Sequence, residues 1–117
     1  MQVIIKNNSK KVKINNVKKL SEFGKVIGLM FHRKEKCPAM LFEFTYPTKM
    51  RIHSIFVFFP FLAVWLDDKN TIIEKKIVKP FKISIGPKKQ FYKLVEIPLN
   101  KYYQTEIKTL FKKSNYS

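Results

Sequence analysis

At 117 residues, 45% of them hydrophobic, the chain is long enough for one domain with a real core, too short for two, and too apolar for intrinsic disorder. Its single cysteine, Cys37, excludes an internal disulfide and fits a reducing compartment. The formal net charge of +16 directs attention to anionic partners.

Residues 2–6 and 10–14 read as an opening hairpin around Asn7-Asn8-Ser9, a turn-rich triplet. In its second arm Val12 and Ile14 alternate with Lys11 and Lys13. The period then changes. Leu20, Phe23, Ile27 and Met30 fall at helical spacing, which predicts a short amphipathic helix over 19–28 with Ser21 near its start and Gly28 at its end. His32 to Pro38 is a charged loop, and Ala39 to Phe44 is an apolar strand closed by Tyr46-Pro47-Thr48.

The densest apolar run extends from Ser54 to Leu66 without a charge. A membrane-spanning helix needs about 20 such residues, and Pro60 would break this one in the middle. The run is rich in Ile, Val, Phe and Trp, so it predicts two buried strands, 52–58 and 62–67, interrupted at Pro60. Asp67-Asp68-Lys69-Asn70 makes a hairpin loop and 71–78 the returning strand. Ile83 and Ile85 alternate with Lys82 and Ser84 in a short strand, Gly86-Pro87 turns the chain, and Phe91 to Ile97 is a last strand ending at Pro98. In the tail, Tyr103, Ile107, Leu110 and Phe111 suit a packed helix. Alternation places Phe56, Phe58, Val64, Leu66 and Ile73 in the core, covered by Leu20, Phe23 and Leu41.

Gly28-Leu29-Met30-Phe31, Met40-Leu41-Phe42-Glu43-Phe44 and Ile52-His53 leading to Phe56-Val57-Phe58-Phe59-Pro60 occur in an order that resembles the domain of unknown function 192 family, in its archaeal form. The resemblance continues through Trp65-Leu66-Asp67, Glu74, Pro80-Phe81 and Tyr92 to Pro98, and so covers about residues 20 to 98. It implies a compact β-rich domain with a short helix near the Gly-Leu-Met element, and it implies no established reaction. Leu62 stands where that family usually carries Asp, so any chemistry done by that carboxylate is lost here.

Few residues form a chemical constellation. His32 and Cys37 share one loop with His53 a third possibility, but they lack the paired spacing of a metal site, and catalysis by Cys37 would require a base in reach and an orienting group that the sequence does not identify, so neither a metal nor a cofactor is expected. His53 interrupts an apolar strand, where a backbone-bonded, half-buried histidine is the plain reading and a ligand contact the functional one. Adjacent Asp67 and Asp68 serve a turn, and Glu43, Glu74 and Glu96 lie singly on separate strands, where salt bridges to lysine are the expectation. Three glycines in no phosphate-binding pattern exclude a nucleotide loop of that kind.

The charge has two readings. Abundant Lys, Ile, Asn, Phe and Tyr, with Arg33 and Arg51 the only arginines and Ala39 and Ala63 the only alanines, follow from an A/T-rich genome. Eight acidic residues are fewer than such a bias requires, which leaves a polyanion partner, either nucleic acid or an anionic membrane surface, as the functional reading beside the compositional one. Lys75, Lys76, Lys88 and Lys89 beside Tyr92, Tyr102 and Tyr103 are the candidate contacts, since aromatic platforms beside lysines suit single strands. The expectation is an α+β, β-dominated domain over 1–117, a rolled or barrel-like antiparallel sheet with one or two short helices, residing in the cytoplasm. It would act as a small non-enzymatic binding or accessory module with a basic surface. The alternative is a small-ligand-binding protein or enzyme with a pocket near Met30 and His53, joined by Arg51.

Overall fold

A computed structural model describes residues 1–20, 32–54 and 57–111 of the chain. Among them, Val3–Asn7 (β1) and Lys10–Ile14 (β2) form a two-stranded hairpin. Val17–Leu20 (β3), Ala39–Thr48 (β4), Phe61–Leu66 (β5), Ile72–Val78 (β6) and Phe91–Pro98 (β7) form one sheet in the order β3-β4-β7-β5-β6. A 3-10 turn at Lys34–Lys36 precedes β4, and the helix Gln104–Phe111 (α1) follows β7. The fold is α+β and dominated by strand. Its two sheets do not close into a barrel, and β3 runs parallel to β4 whereas the other pairs are antiparallel.

Local chemistry explains the turns. The β1–β2 turn places Asn8 at φ 60°, a left-handed conformation that asparagine tolerates. In the β5–β6 loop, Asp67 Oδ1 accepts from the backbone N–H of Lys69 at 2.8 Å and of Thr71 at 2.9 Å, while Asn70 takes φ 68°. The aspartate thus serves the turn, as its sequence context predicts.

The sheet is buried on both faces. One face carries Val17, Ala39, Leu41, Leu62, Val64, Leu66, Val95 and Ile97, covered by the inward residues of the hairpin and by Tyr103 and Leu110. The other carries Met40, Phe42, Phe61, Ala63, Trp65, Phe91 and Leu94, covered by Cys37, Val57 and Phe59. Every residue of β5 is therefore buried, whichever way it points.

The structure departs from the sequence reading at several places, among them 82–85, where the expected short strand is reduced to the single bridge of Ile85 to Ile52. Among the described residues of 52–58 no strand forms, and of these Ile52 alone pairs, exchanging both backbone hydrogen bonds with Ile85 at 2.8 Å. Val57 and Phe59 point inward, so Phe58 points out and is 58% exposed, and a face assignment displaced by one residue inverts every side chain. Lys19 and Leu20, assigned to a helix, belong to β3, while 21–28 lies outside the described residues, as do Phe23 and Phe56. Val64, Leu66 and Leu41 are buried as expected, and Ile73 and Leu20 are partly buried against the second face.

Candidate binding surface

The lysines and tyrosines singled out by sequence do not assemble into one patch. Lys75 and Lys76 are successive on β6, opposite Val64 and Ala63, so they leave opposite faces of the sheet. The Lys75 ammonium donates to the carbonyl of Leu110 near the C-terminal end of α1 and lies 5.8 Å from the Phe111 ring centroid. That is a favourable place for a cation, although burial pulls its pKa down. Lys76 Nζ reaches Glu74 Oε2 at 3.2 Å and the Gly86 carbonyl at 3.0 Å. Burial alone would raise the Glu74 pKa, but the Lys88 backbone N–H at 3.0 Å and the Lys76 ammonium outweigh it and bring it down. Lys88 and Lys89 are exposed beside this group.

Tyr92 lines an open groove of about 540 Å³ with Lys19, Lys93, Glu43 and Asp68, where two cations meet two carboxylates. Lys19 binds Glu43 at 2.7 Å and Lys93 approaches it at 3.7 Å, and these bonds, led by that of Lys19, hold the Glu43 pKa down. Tyr102 is exposed and meets Tyr103 edge-on, with centroids 4.7 Å apart. Tyr103 is fully buried, which corrects its assignment as a stacking platform. Its hydroxyl accepts from the Ala39 N–H at 2.8 Å and has the carbonyls of Asn15, at 2.9 Å, and Asn16, at 3.0 Å, within donating reach.

Met30 lies outside the described residues. His53 is half-buried. Arg51 is exposed and committed to the neighbouring segment: Nε donates to Ser84 Oγ at 2.5 Å and Nη2 to the Ser84 carbonyl at 3.4 Å. Its stem crosses Gly86, where an added Cβ would come within 3.1 Å of Arg51 Cγ. Close approach is the reason for glycine there.

The organising residue of this region is one that sequence reasoning passed over. Ser54 is fully buried, its Oγ donates to the Lys79 carbonyl at 2.7 Å and accepts from the Lys82 N–H at 2.8 Å. Its backbone N–H donates to the Lys82 carbonyl at 2.8 Å, and its carbonyl accepts from the Phe81 N–H at 2.7 Å. Four hydrogen bonds thus bind the segment before Pro60 to the turn at Pro80. They bring Phe58 and Phe81 together, edge-to-face at 5.6 Å, although both rings are more than half exposed. Lys79, Lys82 and Ile83 lie within two residues of Phe81 along the chain, Arg51 bonds Ser84 just beyond them, and all four are exposed. Neither 44–66 nor 75–95, the stretches that build this surface, contains an Asp or Glu.

Beneath the surface, on the same side of the sheet, Glu96 departs from the expected salt bridge. It lies opposite Met40 and Ala63, is 5% exposed, and no lysine among the described residues pairs with it. Burial raises its pKa to about 8. The Cys37 thiol is pushed up to about 12, first by burial and then by the Glu96 charge, the opposite of what a nucleophile needs. The Trp65 Nε1 group, also on this face, finds no acceptor among the described residues. No group of three His, Cys, Asp or Glu among the described residues could hold a metal ion. The sequence signal for Glu96 is its neighbours: within Leu94-Val95-Glu96-Ile97 both strand faces are apolar.

No family model and no curated protein matches the chain. Two solved structures share its fold. One is a protein of unknown function from Novosphingobium aromaticivorans DSM 12444, at TM-score 0.70 and 12% identity over 90% of this chain and 76% of that one. The other is a proposed transcription regulator from Sinorhizobium meliloti 1021, at TM-score 0.65 and 16% identity over 81% of this chain and 76% of that one. At such identities the likeness is one of fold.

Proposed function

We propose that the chain is a non-catalytic binding module that docks a polyanion on the face around Phe58 and Phe81. The observation that carries this reading is two exposed aromatic rings held together in a surface whose chain segments contribute cations and no carboxylate. A solvated lysine surface arising from composition alone has no reason to expose large apolar rings at its centre.

The hairpin supplies an internal control. Lys11 and Lys13 are exposed there, and the hairpin packs on the opposite face of the sheet. The test is binding to a fluorescent oligonucleotide and to phosphatidylserine vesicles as salt is raised, because each neutralised phosphate releases a counterion. Reversal of Lys79 and Lys82 to Glu should weaken binding by roughly tenfold or more, at about 1 kcal/mol per lysine near an anionic surface. The same reversal at Lys11 and Lys13 should change it little. Equal losses from the two pairs would mean that charge acts as a property of the whole composition and that the face has no special role.

A second reading, a small-ligand site on the same side of the sheet, is favoured by Glu96 and by the unsatisfied Trp65 Nε1. Because Trp65 is the only tryptophan, its fluorescence reports any molecule that reaches it, and an unchanged spectrum across a ligand panel would count against this reading.

A further inference from the structure

Resting on that reading, we propose that the polyanion is an anionic lipid surface, entered by Phe58, Phe81 and Ile83 while Lys79 and Lys82 meet the headgroups. The three apolar side chains are 58%, 59% and 81% exposed. Ile83, the most exposed of them, has no face on which a base can stack, yet it suits the boundary between headgroups and acyl chains. The Phe58 and Phe81 rings meet at 70°, so they offer each other's edges and present no parallel platforms for successive bases. The arginine of this surface, Arg51, has its fork turned to Ser84 and is occupied. These features favour lipid over a nucleic acid strand.

Backbone strain points the same way. Phe81 adopts φ 64°, a left-handed conformation unfavourable for an aromatic residue and readily taken by Gly or Asn. An exposed phenylalanine at a strained position gains nothing for the core, and strain of this kind collects where a side chain has work to do outside it. The Ser54 hydrogen bonds fix the tip before contact, so little conformational freedom is lost on docking. Lys79 and Lys82 flank Phe81 two residues before and one residue after, which sets cations around the apolar tip.

The experiment is co-sedimentation of the full chain with phosphatidylcholine vesicles containing or lacking phosphatidylserine. Fluorescence anisotropy with a single-stranded oligonucleotide runs in parallel, at low and at physiological salt. The variants are Phe58→Ser with Phe81→Asn, the asparagine chosen because it accepts the left-handed backbone, and Lys79→Glu with Lys82→Glu. Circular dichroism and melting confirm that each remains folded. The expected result is binding to serine-containing vesicles that falls on the order of tenfold or more in the aromatic variant, as apolar area is lost. Oligonucleotide binding should stay within about twofold, since its phosphate contacts are untouched. Two results overturn the lipid assignment and leave the polyanion reading standing. One is a loss on oligonucleotide matching that on vesicles, which identifies a nucleic acid. The other is oligonucleotide binding with no vesicle binding. Binding to neither probe ends both proposals. A sedimentation equilibrium that changes from dimer to monomer in the aromatic variant, without vesicle binding, assigns the face to a second copy and likewise overturns it.

Discussion

The Ala39 backbone N–H donates to the hydroxyl of Tyr103, 64 residues later, at 2.8 Å. The same hydroxyl reaches the carbonyls of Asn15 and Asn16, so one buried atom joins the start of β4, the link from β2 to β3 and the entry to α1. Tyr103→Phe preserves the ring and leaves these backbone groups without their partner. The expected cost is about 1–3 kcal/mol by chemical denaturation, because buried groups lose their hydrogen bond and cannot regain water. Tyr102→Phe, at an exposed ring, should leave the midpoint unchanged. Equal effects of the two changes would contradict the latch.

Phe58 and Phe61 separate surface from core within three residues of sequence. Phe61 is 1% exposed, so Phe61→Ala should cost about 3–5 kcal/mol in transfer and cavity terms. Phe58→Ala should cost well under about 1 kcal/mol, as for other surface substitutions. Thermal melting of the pair decides the matter, and a larger loss at Phe58 would mean that its ring is buried in solution.

Glu96 makes stability depend on pH with a defined sign. Burial raises its pKa from 4.5 to about 8, so between those values the folded chain holds a proton that the unfolded chain has released. The resulting stability is complete below the ordinary carboxylate pKa and is lost as pH rises through about 8. The unfolding free energy should decline across that window, by on the order of a few kcal/mol at most, read from denaturation curves at each pH. Glu96→Gln should flatten the profile relative to the parent chain and be the more stable form at the alkaline end. Parallel profiles would show that the carboxyl reaches solvent or a cation.

Cys37 is 2% exposed and its thiol is held at about 12. A thiol reagent at neutral pH should therefore label the native chain only as fast as the region opens, and label it completely in denaturant. Rapid stoichiometric labelling of folded protein would show the thiol to be accessible and ionised.

Much of the strand content is legible in the sequence, because alternation along Lys10–Ile14 and the apolar runs at β4, β5 and β7 leave no other period. The turn at Asp67–Asn70 is legible for a chemical reason, since its side chains bond their own backbone. The face of Phe58 is not, because an uninterrupted run of Phe56-Val57-Phe58-Phe59 gives both registers equal hydrophobic reward. Among the described residues, the long-range bonds of Ser54 to the Lys79–Lys82 turn and the bridge of Ile52 to Ile85 hold the segment in one of them. Tyr103 likewise looks the same as Tyr102 in the sequence, and their opposite fates depend on carbonyls almost ninety residues away. The face around Phe58 and Phe81 is illegible for the same reason: its charged members are dispersed, and what distinguishes it is the absence of acids from two stretches that meet only in space.

The position of β7 between β4 and β5 has a consequence for biosynthesis. Strands β3 with β4, and β5 with β6, can pair as they are made, but they become one sheet only when residues 91–98 slot between them. A nascent chain halted before Phe91 would hold two half-sheets, each with a naked inner edge and an apolar surface awaiting the same missing strand. Ribosome stalling or truncation in that interval should therefore produce aggregates rather than a smaller folded body, and pulse proteolysis of arrested chains should show protection arising in a single step once β7 has left the exit tunnel.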